Sequence, residues 1–307
     1  MNDLTRGKFF GTGALAGIAV AATPGTSLAA DPPATLKIRW YGGGVYELAT
    51  PDDKTIVLVD AWIWNNTGFK AFGIDKPAEL SSVAAYASYL KNRSPEAVIV
   101  ALTHDHVDHI GDYFELLPAL VAAGLDVKTL GQSDLMRLGL VQKFKDAGLD
   151  RTRIVLNGGE GINIGGSVAY KGARFEMVPA VHSTFAGFPP VGFIIDVGGT
   201  RVYASGDTDL FGDMALIGTR YKPALAIVSA GNGAFTMGPV PAASACKLVG
   251  ASQTIPVHYG HNPRVLGPEC GELFRTAMAR EAPAAAVTIL RPGVATTLAL
   301  APYAASG

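Results

Sequence analysis

Several kinds of chemistry are thinly supplied in this chain. Its 307 residues include two cysteines, Cys246 and Cys270. That is too few for a disulfide framework or a thiolate zinc site. One bridge, or two separately buried thiols, are the options left. Charge is sparse as well: 17% of residues are charged, 25 basic against 26 acidic, and the basic ones form no block. Phosphate backbones are bound by clustered Lys and Arg, so nucleic acid is not expected as a partner. There is no repeat at a solenoid period and no Pro- or Ser-rich linker. The apolar run from Phe9 to Ala22 is short for a bilayer span.

That run reads instead as part of an export signal. Residues 1–30 have a basic start (Arg6, Lys8), a Gly/Ala-rich apolar stretch and small residues at the end. Cleavage is expected after Ala29 or Ala30. The stretch "TRGKFF" resembles a twin-arginine signal with Gly7 in the place of the second arginine, so either that route or the general secretory route is open. The mature protein would be periplasmic or secreted, with no stable membrane insertion. Removing Arg6, Lys8 and Asp3 leaves 23 basic and 25 acidic residues, a formal charge of −2.

What remains, residues 31–307, alternates β-branched runs with helical patterns. "TLKIRWY", "GVYELAT", "TIVLVD" and "EAVIVALT" read as strands, separated by the turn signals "GGG" and "PDDK" and by a helical "PAELSSVAAYASYLKNR". "DYFELLPALVAAG" reads as a helix ending at Gly124. Strands are expected at "RIVLN", "SVAYKGARFEMVPA", "VGFIIDV", "TRVYASG", "ALAIVSA", "TIPVH", "AVTIL" and "VATTLAL", with helices at "PAASACKLVG" and "GELFRTAMAR". Mixed strands with interspersed helices predict one large α/β domain.

Histidine is scarce too, six in all, yet three fall in "THDHVDH". If His104 and His106 continue the buried strand that precedes them, as i and i+2 they point the same way and can grip one ion. Asp108 and His109, beyond a bend, would face a neighbouring ion. His182, Asp207 and His258 each follow a strand, where sheets display functional groups. Alone, His182 or His258 would be a structural histidine, and Asp207 a turn residue. With the cluster they make seven N and O donors, a number that suits two divalent ions sharing one carboxylate. Imidazole and carboxylate without thiolate suit Zn²⁺, Mn²⁺ or Fe²⁺. Two such ions can hold a water, lower its pKa and polarise the bond it attacks.

Four further features carry expectations. Asp60, closing "TIVLVD", can accept a hydrogen bond from a ligand's second ring nitrogen, or be a plain turn residue. His261 can donate a proton or hydrogen bond to substrate, or be a solvated loop histidine. Trp62, Trp64, Phe69, Phe72, Phe185 and Phe188 either wall an apolar cleft or pack in the core. Lys70 and Arg264 are the cations nearest the motifs.

"THDHVDH", His182, "SGDTD" and "PVHYG", in that order, resemble the metallo-β-lactamase superfamily. "GDTDLFGDMALIG", "FTMGPVPAASACKLVG" and "TIPVHYG" are similar to the branch that holds ascorbate-6-phosphate lactonase, uncharacterised metal-dependent hydrolases and the phospholipase D acting on N-acyl-phosphatidylethanolamine. The resemblance implies an αβ/βα sandwich of two mixed sheets with a metal site at their edge. It also implies one ion on His104, His106 and His182, a second on Asp108, His109 and His258, and Asp207 bridging, with Asp108 orienting the attacking hydroxide. The branch usually has an aspartate near "PALAIVSAG" and a Pro-Ile-Gly turn after it, where this chain has Ala224 and "VSAGNG".

The expected function is that of a hydrolase using metal-bound hydroxide on a small-molecule lactone or carboxylic ester. A phosphodiester is second and a β-lactam third. A di-iron oxidoreductase, lacking room for a flavin or thiol partner domain, and a non-catalytic metal-binding protein stand further off.

Overall fold

The computed structural model describes residues 33–232 and 234–301. The expected signal, residues 1–30, lies outside them. Among the described residues, thirteen strands run in chain order: β1 (Ala34–Gly42), β2 (Val45–Ala49), β3 (Thr55–Val59), β4 (Ala97–Ala101), β5 (Val127–Leu130), β6 (Ser167–Tyr170), β7 (Ala173–Pro179), β8 (Val191–Val197), β9 (Thr200–Ala204), β10 (Leu225–Ser229), β11 (Gln253–Val257), β12 (Ala286–Val287) and β13 (Ala295–Leu300). They form one sheet in the order β13-β1-β2-β3-β4-β5 and a second in the order β12-β11-β10-β9-β8-β7-β6.

Side-chain alternation stacks the sheets. Val57, Val59 and Ile99 point into one core with Phe175, Phe193 and Ile195 of the second sheet. Their neighbours Ile56, Leu58, Val98 and Val100 point the other way. There they meet Tyr86 and Leu90 of the helix Val83–Asn92, and Leu116 and Leu120 of the helix Tyr113–Ala122. The helices Met214–Tyr221, Pro239–Val249 and Cys270–Glu281 add Ile217, Ala242 and Phe274 to the core of the second sheet. With helices on both sheets and both pairing senses within each, the architecture is the expected αβ/βα sandwich of two mixed sheets.

Pairing direction positions the site. In the first sheet β3, β4 and β5 are parallel; in the second, β9, β10 and β11 are. Antiparallel pairing through β8 turns β7 into the direction of β9. The loops after β3, β4, β7, β9 and β11 carry Asp60, the His104 motif, His182, Asp207 and His258.

Some expectations need correcting. "RIVLN" is no strand: Asp150 caps a one-turn helix, Arg151–Ile154, by accepting from Thr152 N (3.0 Å), and Val155 adds only an isolated bridge to Thr129. "AVTIL" pairs over two residues only. "SVAYKGARFEMVPA" is a two-strand hairpin, β6 and β7, turning at Lys171 and Gly172. Strand β5 and the helix Met214–Tyr221 lie outside the elements that the sequence predicts. Cys246 and Cys270 are both free and buried, which selects the two-thiol option.

Candidate metal centre

Strand β4 ends at Ala101, so His104 and His106 do not extend it; they sit in the irregular turn that follows. Their rings still converge, with His104 Nε2 3.0 Å from His106 Nδ1. Asp108 and His109 lie in a one-turn helix of their own, Val107–Ile110. The three aspartates of "THDHVDHIGD" face three ways. Asp108 faces the histidines. Asp112 is buried and accepts from Ile63 N (2.5 Å) and Asn65 Nδ2 (2.5 Å), tying the loop after β3 to the motif. Asp105 accepts from the amides of Phe185 and Ala186.

Asp60 has the supporting role, not that of a turn residue alone. Its Oδ2 takes His109 Nδ1 at 2.6 Å and Thr103 Oγ1 at 2.8 Å, and its Oδ1 takes Thr103 N at 2.8 Å. Because Thr103 spends its hydroxyl proton on Asp60, its oxygen accepts from His104 Nδ1, 3.0 Å away. One buried carboxylate thus fixes the tautomers of two histidines and turns both Nε2 lone pairs toward the centre.

Asp207 occupies that centre. Its Oδ1 accepts from Ser229 Oγ at 2.9 Å. Its Oδ2 lies 2.9 Å from His258 Nε2, 3.2 Å from His109 Nε2 and 3.7 Å from His182 Nε2. His109 Nε2 and His258 Nε2 are nevertheless buried without a well-oriented hydrogen bond. Buried nitrogens that converge on a carboxylate without donating to it fit a divalent ion. Three sets have ligand atoms mutually within 4.8 Å: His104, His106 and His182; His104, His109 and Asp207; Asp108, His109 and His258. All seven expected donors are therefore brought together.

Charge follows from this crowding. Burial pulls the His258 ring down, but the charge of Asp207, with the Asp108 carboxylate 3.5 Å away, overcomes it and pushes its pKa up to about 9. His109, also penalised by burial, is raised well above the usual range by Asp207 and Asp60. Asp108 is pulled upward by burial, yet His258 and His261 hold it far below the ordinary carboxylate range. His104, desolvated and beside other imidazoles, is pushed well down.

His261 is buried and part of the cluster, with Nε2 3.3 Å from Asp108 Oδ2; it is not a solvated loop residue. The sequence reading missed the glycines beneath it. A Cβ on Gly44 would sit 2.5 Å from His109 Cε1, and one on Gly43 3.3 Å from the His261 ring. Gly43 O also accepts from His258 N at 2.7 Å, holding His258 at φ 64°, a strained conformation for a non-glycine. "GGG" reads locally as a turn, and only the fold brings histidines against it.

A cleft of about 680 Å³ opens over this cluster. Of the six aromatics proposed as its walls, Trp62 and Phe185 line it. The other four pack elsewhere: Phe69 is in the core, Phe72 lies edge-on to Trp40, Trp64 bonds Glu115, and Phe188 packs near Gly139. Phe235, not foreseen, lines the cleft together with Arg264, while Lys70 does not.

The beta-lactamase superfamily domain matches residues 57–259. A UPF0173 metal-dependent hydrolase of Nitratidesulfovibrio vulgaris, Hildenborough strain, is 35% identical over 263 residues, 85% of this chain and 95% of that protein. Among solved structures, Igni18, a metallo hydrolase of Ignicoccus hospitalis, is 28% identical and superposes with a TM-score of 0.65 over 86% of this chain and 98% of its own. The metallo-beta-lactamase fold protein YhfI of Bacillus subtilis, at 17% identity and a TM-score of 0.58 over 86% and 99% of the two chains, shares the fold. On the match across its central 57–259 and the identity to these relatives, the chain belongs to the metallo-β-lactamase superfamily and is a metal-dependent hydrolase.

Proposed function

We propose that the protein is an exported hydrolase that holds two divalent ions, zinc before manganese or iron, and cleaves a lactone or carboxylic ester. One observation carries the reading of the substrate. Above a floor of imidazoles and carboxylates, the cleft is walled by Trp62, Phe185 and Phe235, and Arg264 is its one Lys or Arg side chain among the described residues. A phosphodiester keeps its negative charge throughout the reaction, and dedicated sites add cationic donors for it. A neutral ester with an apolar body suits these walls.

The first ion would be held by His104, His106 and His182, the second by Asp108, His109 and His258, with Asp207 between them; two of the three close ligand sets coincide with this division. Divalent ions in such a donor set supply Lewis acidity and lower the pKa of water. Asp108, held deprotonated, would accept a hydrogen bond from the attacking water and orient it. His261 is held neutral, chiefly by burial, so its Nε2–H serves as a hydrogen-bond donor to Asp108 or to a substrate oxygen. Trp62, edge-on to His261 with ring centroids 6.0 Å apart, limits how the substrate body can lie.

Elemental analysis, followed by a hydrolysis screen over lactones, esters, phosphodiesters and β-lactams, tests the reading. Two ions per chain and a higher kcat/KM for an aryl or acyl ester than for bis(p-nitrophenyl) phosphate are expected. The reverse preference, abolished by Arg264→Ala, would replace it with a phosphodiesterase. Export rests on the composition of residues 1–30. Intact-mass measurement on protein from the native host should find a chain beginning at Ala30 or Asp31, and a full-length cytoplasmic product would overturn that part.

A further inference from the structure

We propose that Asp105 sets the substrate specificity of the cleft by fixing Phe185 as its outer wall; the proposal rests on the ester-hydrolase reading of the same cleft. Asp105 stands between two expected metal ligands in sequence, but belongs to none of the close ligand sets. Both of its oxygens are engaged elsewhere: Oδ1 accepts from Phe185 N at 2.8 Å and Oδ2 from Ala186 N at 2.7 Å. Two consecutive amides on one carboxylate make a short clamp at the tip of the loop between β7 and β8.

The rest of that loop is secured independently. On the β7 side, Val181 N donates to Thr208 Oγ1 (3.0 Å) and Asp209 N donates to Val181 O (2.8 Å), which fixes the backbone next to His182. On the β8 side, Val191 N donates to Thr103 O (3.0 Å). Within the loop, Thr184 Oγ1 donates to Phe188 O (2.9 Å). At the tip, Gly187 takes φ +78°, a conformation that glycine adopts without strain. Among the described residues, the hydrogen bonds that tie this tip to the rest of the protein are the two accepted by Asp105. Removing its carboxylate should therefore displace the tip, and with it Phe185, while leaving His182 in place.

The clamp acts on a side chain that gains little from the protein itself. Phe185 is 72% exposed, touching the His106 ring at a centroid distance of 4.6 Å. Phe235, 42% exposed, and Val107, 62% exposed, line the same cleft. Apolar groups displayed round a polar floor are covered when an apolar body lies between them. The occupant that meets both the floor and the walls is the acyl or aryl part of an ester whose carbonyl lies over the donors. Asp105 is thus a positioning residue for binding, acting through Phe185.

The test compares wild type, Asp105→Ala, Asp105→Asn and Phe185→Ala, all loaded with Zn²⁺. Hydrogen exchange at the Phe185 and Ala186 amides should accelerate at least about tenfold in Asp105→Ala, as protected hydrogen bonds are lost. Asp105→Asn, whose amide oxygen can serve one of the two N–H groups, should fall between. Zinc content should be unchanged in every variant. KM for p-nitrophenyl hexanoate should rise about fivefold in Asp105→Ala and Phe185→Ala, the scale of one aromatic contact, with a smaller change for p-nitrophenyl acetate. Wild-type exchange rates in Asp105→Ala would overturn the clamp. Loss of zinc in that variant would instead make Asp105 a support for the metal site and overturn the specificity role. If wild type turned over neither ester, the ester reading would fall and the substrate part of this proposal with it, while the exchange rates would still decide whether the clamp exists.

Discussion

His258 Nε2 lies 2.9 Å from Asp207 Oδ2, although β11 and β9 deliver the two residues from positions 51 apart in the chain. His109 Nε2 reaches the same oxygen from the other sheet at 3.2 Å. Asp207 is therefore the point at which both halves of the sandwich meet the proposed ions.

Loss of one ligand at this point should remove one ion. His258→Ala is expected to lower bound zinc toward one per chain and to reduce turnover strongly, as read by elemental analysis of the purified variant. Asp207→Ala should be worse, because it disturbs both ions and leaves their charges less neutralised. Unchanged zinc in His258→Ala would remove that residue from the ligand set.

Residues that orient the ligands should matter at one remove. Ser229→Ala frees Asp207 Oδ1, and Asp60→Ala frees His109 Nδ1 and Thr103. Outer partners of this kind are worth about 10- to 100-fold in metal affinity. A Co²⁺ titration should show a loss of that order in each variant. Asp60→Ala should also cost about 1–3 kcal/mol of stability, because it leaves a buried ring nitrogen without a partner. Ser229→Thr, which keeps the hydroxyl, should retain more affinity than Ser229→Ala, and equal losses would argue against the hydrogen bond as the cause.

The ion-free protein should respond to pH in a direction set by His258. Its folded pKa of about 9 lies above that of a free histidine. A raised histidine stabilises the fold fully below the unfolded value, near 6.5, and this contribution is lost as pH climbs through about 9. Chelator-treated protein should therefore melt at a falling temperature between about pH 6.5 and 9. Zn²⁺ needs the neutral ring, so the rise in Tm that it produces should grow across the same interval. A flat ion-free Tm across that interval would show that the Asp207–His258 pair does not hold the proton.

The two tryptophans of the loop after β3 should differ in their effects. Trp62→Ala is expected to raise KM for an aryl ester with less effect on kcat, since contacts shared by ground and transition states are lost. Trp64, bonded to Glu115 and not lining the cleft, should leave KM near the wild-type value when changed to Ala. A larger KM effect from Trp64 would mean that the cleft extends further than Trp62.

The chemistry of the centre and most of the strands is legible in residue type and order. His, Asp and the order of the motifs are covalent facts, and the strands rest on short continuous β-branched runs such as "TIVLVD" and "VGFIIDV", bounded by turn signals. Tertiary structure decided whatever depends on residues distant in the chain. It gave the two other aspartates of "THDHVDHIGD" structural tasks, Asp105 toward the β7–β8 loop and Asp112 toward the loop after β3. It placed Gly43 and Gly44 beneath histidines 65 and more positions away, and set Ser229 on Asp207. It also sorted the six aromatics, because burial depends on what the other sheet and its helices bring against each ring. Residue type fixes which interactions a side chain can make. Which of them it does make is fixed by neighbours that only the packing of the two sheets supplies.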